Sequence, residues 1–146
     1  MVDAMESAES ELRALFDRCS GAMRQKDIER VMALYSPDIV YFDLVPPLRY
    51  TGAAALRERF LDWFGRWSSD IGQELRDLHI SASGHVAAAF MLIRTSGTLK
   101  TGEEVGYWVR VSNGCRRFDR EWLITHEHVS LPVDMKSRSA VTDLVP

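Results

Sequence analysis

The chain has 146 residues, 46% of them hydrophobic and 27% charged, with a formal net charge of −3. That length favours one domain with a sizeable core, and the composition excludes intrinsic disorder, collagen and coiled coil as the bulk architecture. The negative charge offers no electrostatic basis for binding nucleic acid or an anionic membrane, and no apolar run approaches the ~20 residues of a membrane helix.

The first ten residues, MVDAMESAES, carry neither a basic start nor an apolar stretch, so no secretory signal is expected. Ala8, Leu12, Leu15, Phe16, Cys19 and Met23 recur at helical steps and predict an amphipathic helix from about Glu6 to Lys26. Asp27 is a predicted N-cap for a short second helix carrying Ile28, Val31, Met32 and Tyr35. Ser36-Pro37 ends it, because the residue before proline avoids the helical region. Ile39–Asp43 reads as a short strand, broken by Val45-Pro46-Pro47. Thr51 is a predicted cap for a third helix with Leu56, Phe60, Trp63, Phe64 and Trp67 on one face.

After Ser69 the period changes to two. Four long strands are predicted at about Ile71–Ser83, His85–Ser96, Glu103–Ser112 and Glu121–Val133. Ser83-Gly84, Ser96-Gly97, Thr101-Gly102 and Asn113-Gly114 supply turn chemistry between them. Strands joined by tight turns form an antiparallel meander. The expected architecture is α+β: a curved antiparallel sheet wrapped around N-terminal helices as a cone with an open mouth. One domain is expected over residues 1–135, with a flexible tail over 136–146. Cys19 and Cys115 are the only cysteines and lack CxxC spacing, which predicts free thiols in a reduced, cytoplasmic protein.

Three stretches resemble the nuclear transport factor 2-like superfamily, in its SnoaL-like and ketosteroid-isomerase-like branch. The first runs from Met23 through Asp27-Ile28 and Val31-Met32-Ala33-Leu34-Tyr35-Ser36-Pro37-Asp38 into Ile39-Val40-Tyr41-Phe42-Asp43. The others are Tyr50-Thr51-Gly52 and the closing run from Trp122 to Ser130. The resemblance implies a cone enclosing a pocket, a homodimer through the outer sheet face, and no metal. It is specific for fold and not for activity, because the fold hosts isomerases, dehydratases, cyclases, hydrolases and proteins without chemistry. Asp43 matches the position of the aspartate general base of ketosteroid isomerases. Cys19 and Trp108 match the positions of that family's oxyanion donors, a tyrosine and a protonated aspartate. A thiol is a poor donor, so the usual steroid isomerisation is not expected.

Read from the residues themselves, Asp43 lies among apolar neighbours, which disfavours its charged form and suits a general base. His126 and His128 are two apart, so on a strand they share a face with Trp122 and Ile124, while Thr125, Glu127, Val129 and Leu131 face outward. Inward-facing imidazoles are candidate catalytic groups beside Asp43. A metal held by the two histidines and Asp43 is a third reading of the same residues, and no metal or cofactor is expected. Trp108 and Arg110 share a face of the third long strand, and an arginine inside a cone needs a partner. Tyr41, Cys19, Phe60, Trp63 and Trp67 complete the expected ligand-binding set. Arg116, Arg117, Asp119, Arg120 and Glu121 read as a solvated hairpin tip that includes Cys115, and His79 and His85 as structural or surface residues. No P-loop, dinucleotide fingerprint, GxSxG elbow or HExxH motif occurs.

Two functions are consistent with these residues. One is a cofactor-free isomerase, polyketide cyclase or dehydratase acting on a small apolar molecule by proton transfer. The other is a non-catalytic ligand-binding or dimeric association module.

Overall fold

A computed structural model describes residues 4–146 and their side chains from Ser7 onward. Helix α1 (Ala4–Arg24) buries Ala8, Leu12, Leu15, Phe16 and Met23, the face its periodicity predicts. Asp27 caps α2 (Ile28–Met32): its carboxylate accepts from the Arg30 N–H at 3.2 Å. Tyr35 does not continue that helix. It opens β1 (Tyr35–Phe42), so Pro37 sits within a strand rather than ending a helix. Thr51 lies in the short β2 (Tyr50–Thr51), and Gly52 at φ 90° caps α3 (Ala53–Phe64) without a side-chain bond.

Four long strands follow: β3 (Gly72–Ser83), β4 (Val86–Thr98), β5 (Glu104–Phe118) and β6 (Glu121–Ser130). The six strands form one sheet in the order β2-β1-β6-β5-β4-β3. The β3 to β6 meander is antiparallel as expected, but β1 lies parallel to β6, so the sheet is mixed. The inner face packs on α1 and α3, and a single core joins Leu12, Leu15, Ile39, Leu56, Ile71 and Ile124.

Two predicted turns are strand interior. Gly97 lies within β4 because the segment Trp67–Asp70 crosses it closely: a Cβ there would meet Ser69 Oγ at 2.7 Å and the Asp70 carbonyl at 2.8 Å. Asn113-Gly114 lies within β5, whose hairpin turns instead at Asp119-Arg120. Cys115 is therefore in the core, not in a turn. Arg117 is also drawn out of the solvated tip and stands over the Trp122 ring at 5.9 Å. The tail, expected to be loose, folds back as an exposed hairpin of β7 (Val133–Asp134) and β8 (Ser139–Ala140). No helix among the described residues is long and apolar enough to cross a membrane.

Candidate active site

The register of β6 decides what enters the cone. Gly114 of β5 faces His126, while the next residue, Cys115, faces Ile124. Thr125 is therefore an extra residue, a β-bulge, and a bulge inverts the side-chain alternation beyond it. Trp122 and Ile124 point into the core before it, and Glu127 and Val129 point inward after it.

The expectation that His126 and His128 face the cavity is corrected by this inversion. Both lie on the outer face, flanking Phe42 at 4.8 and 5.3 Å between ring centroids. His126 Nδ1 donates to the Val40 carbonyl at 2.7 Å, which fixes that tautomer. His128 is exposed. With both imidazoles across the sheet from Asp43, the three residues do not converge. No cluster of three or more potential metal ligands forms among the described residues.

Trp108 and Arg110 are likewise on the outer face, because β5 runs unbroken and buries the alternate set Val109, Val111, Asn113 and Cys115. Arg110 is exposed, and its Nε donates to Ser130 Oγ at 3.0 Å. Cys19 does not line the cavity. It lies behind Tyr35, and burial pushes its thiol up to about 12. Tyr41, Phe60, Trp63, Trp67 and Asp43 do line it.

The cavity measures about 580 Å³, within the 300–1,000 Å³ usual for small-molecule sites. Its buried end is formed by Met23, Phe60, Val109, Val111 and Glu127. The exposed Asp62 and Arg66 mark the mouth, beside the loop residues Leu44, Val45 and Pro46.

Glu127 is 8% exposed. Its Oε1 accepts from Asn113 Nδ2 at 2.7 Å, and the Tyr35 hydroxyl donates across both oxygens at 3.2 and 3.3 Å. Burial raises its pKa, hydrogen bonds from Asn113, Tyr41 and Tyr35 oppose that rise, and nearby Asp43 adds to it; the balance stands at about 7. Burial and the neighbouring carboxylate push both tyrosines well above the usual phenol range, so they remain donors. A carboxyl half-ionised at neutral pH can take or give a proton.

Asp43 is the second carboxylate. Its Oδ2 accepts from Arg59 Nε at 2.6 Å, with side chains 9% and 15% exposed, and its Oδ1 accepts from the Leu44 N–H at 2.6 Å. The sequence placed Glu127 on the outer face with Val129, which the bulge corrects, and did not single out Arg59. The signal for Glu127 was Gly114, a lone glycine inside a strand pattern, which marks a bulge as readily as a turn. Arg59, between Glu58 and Phe60, carried no signal distinguishing it from a solvated helix face.

A profile of the SnoaL-like domain family matches residues 12–134. No curated protein matches the chain. Among solved structures, an NTF2-like protein of unknown function from Pseudomonas putida KT2440 is 34% identical. It covers 98% of this chain and 100% of its own, with a TM-score of 0.89. A dehydratase candidate of the NTF2-like family from Streptomyces avermitilis is 18% identical over 87% of this chain and 97% of its own, with a TM-score of 0.78. A ketosteroid isomerase-like protein from Erwinia carotovora atroseptica is 21% identical over 83% and 93%, with a TM-score of 0.72. The last two share the fold. The family profile and the Pseudomonas relative together place this chain in the SnoaL-like domain family of the NTF2-like superfamily.

Proposed function

We propose that the chain is an enzyme that moves a proton on a small, largely apolar molecule, with Glu127 as the general acid–base. The observation that supports this reading is a carboxyl buried at the inner end of a cavity of ligand size and hydrogen-bonded to Asn113 and Tyr35, where burial raises its pKa to about 7. The catalytic group is thus Glu127 in place of His126 and His128, and Asp43 serves as the counter-charge of Arg59. Incubation of the protein in D2O with a panel of cyclic ketones, read by mass spectrometry, tests the proton transfer. Exchange at the carbon beside the carbonyl is expected with the native chain and not with Glu127→Gln. Equal exchange in the two rejects the assignment and leaves the binding-module reading.

We further propose a homodimer through the outer sheet face. Phe90 there is 56% exposed, with His79 stacked on it at 4.9 Å. Light scattering is expected to give twice the 16.6 kDa chain mass, and Phe90→Asp to give the monomer. A monomeric native chain contradicts this.

A further inference from the structure

From the hydrogen-bonding inventory of the cavity we infer that its ligand is neutral and carries an accepting oxygen, held by Tyr107 and Arg59. This rests on reading the cavity as a small-molecule pocket. The carboxylates are already served: Asp43 accepts from Arg59 and from the Leu44 N–H, and Glu127 accepts from Tyr35 and Asn113. Among the groups left over are two donors that flank Asp43. The Tyr107 hydroxyl lines the cavity and makes no hydrogen bond among the described residues. A guanidinium has five N–H groups. Arg59 commits Nε to Asp43 and directs Nη1 toward Asp62 at 3.7 Å, while Nη2 has no partner among the described residues. Leftover donors in a half-buried site select a ligand that accepts.

The charge balance selects against an anion. The Arg59 charge is matched by Asp43 at 2.6 Å and the Arg66 charge by Asp62 at 3.2 Å, and Glu127 adds a third carboxylate to the same walls. A carboxylate ligand would meet like charge without a free counter-ion. A ketone, ester or amide oxygen meets donors and no repulsion.

The test uses tetralin, 1-tetralone and tetralin-1-carboxylate, titrated into the full chain and followed through the indole N–H signals of Trp63 and Trp67. The ketone is expected to bind about tenfold tighter than tetralin, the worth of one well-placed hydrogen bond, and the carboxylate more weakly than either. In Tyr107→Phe the ketone is expected to fall within about threefold of tetralin. Because both ligands are compared on the same variant, a general loss of stability cancels. A carboxylate that binds tightest, or a ketone advantage that survives Tyr107→Phe, overturns the inference while leaving the pocket intact. Failure of all three to move either indole signal overturns the small-molecule pocket itself, and the inference with it.

Discussion

Glu127→Gln is expected to slow proton transfer by about 10²–10⁴-fold, the usual contribution of a positioned general acid–base. The substitution keeps the side chain's shape, so the cavity walls are not disturbed. It removes only the capacity to bind and release a proton. The loss should fall on kcat rather than on ligand affinity, because the polar anchors proposed for the ligand are Tyr107 and Arg59. Exchange measured against pH should rise through about 7 in the native chain as Glu127 ionises. Glu127→Asp shortens the side chain by one methylene and draws the carboxylate away from Tyr35 and Asn113. It should retain a measurable remnant of activity that Gln lacks. A Gln variant with native exchange rates would show that the proton is handled elsewhere.

Arg59→Leu is expected to destabilise the fold by about 3–5 kcal/mol, the cost of removing one partner of a buried ion pair. The Asp43 and Arg59 side chains are 9% and 15% exposed, so the carboxylate left behind cannot recover its hydration. Arg57 supplies the internal contrast. It pairs with Glu29 on the surface, where the side chains are 40% and 77% exposed, and Arg57→Leu should cost less than about 1 kcal/mol. Adding Asp43→Asn to Arg59→Leu should restore most of the loss, because it is the stranded charge rather than the missing contact that costs. Urea unfolding of the four proteins measures this. An Arg59→Leu loss no larger than that of Arg57→Leu would contradict the burial argument.

The parts of the fold legible in the sequence were those set by short-range periodicity. The buried stripe of α1 and the Asp27 cap are local events, decided by spacing and one side-chain oxygen. The meander followed from the change of period after Ser69. Asp43 reached the cavity because β1 carries it there directly. What failed depended on partners far away in sequence. Thr125 is bulged against Gly114, and that one extra residue reversed the faces of His126, Glu127 and His128 at once. Gly97 carries turn chemistry, yet its lack of a side chain serves the crossing of Ser69 and Asp70. Tyr35 looked like the end of a helix, and its role appears only when β1 and β6 lie parallel and bring its hydroxyl to Glu127.

The raised carboxyl also leaves a mark on stability. Between about pH 4.5 and 7 the folded chain holds a proton on Glu127 that the unfolded chain has released. Stability contributed by this group is therefore full below pH 4.5 and declines as pH rises through 7, by about 3 kcal/mol in all. Glu127→Gln removes that slope. The group itself can be observed directly by carbon-13 NMR titration of the Glu127 side-chain carboxyl, assigned by its disappearance in the Gln variant. A midpoint near 7 is the predicted result. A midpoint near the ordinary glutamate value of 4.5 would mean a well-hydrated carboxylate, and Glu127 could not then be the proton carrier of this cavity.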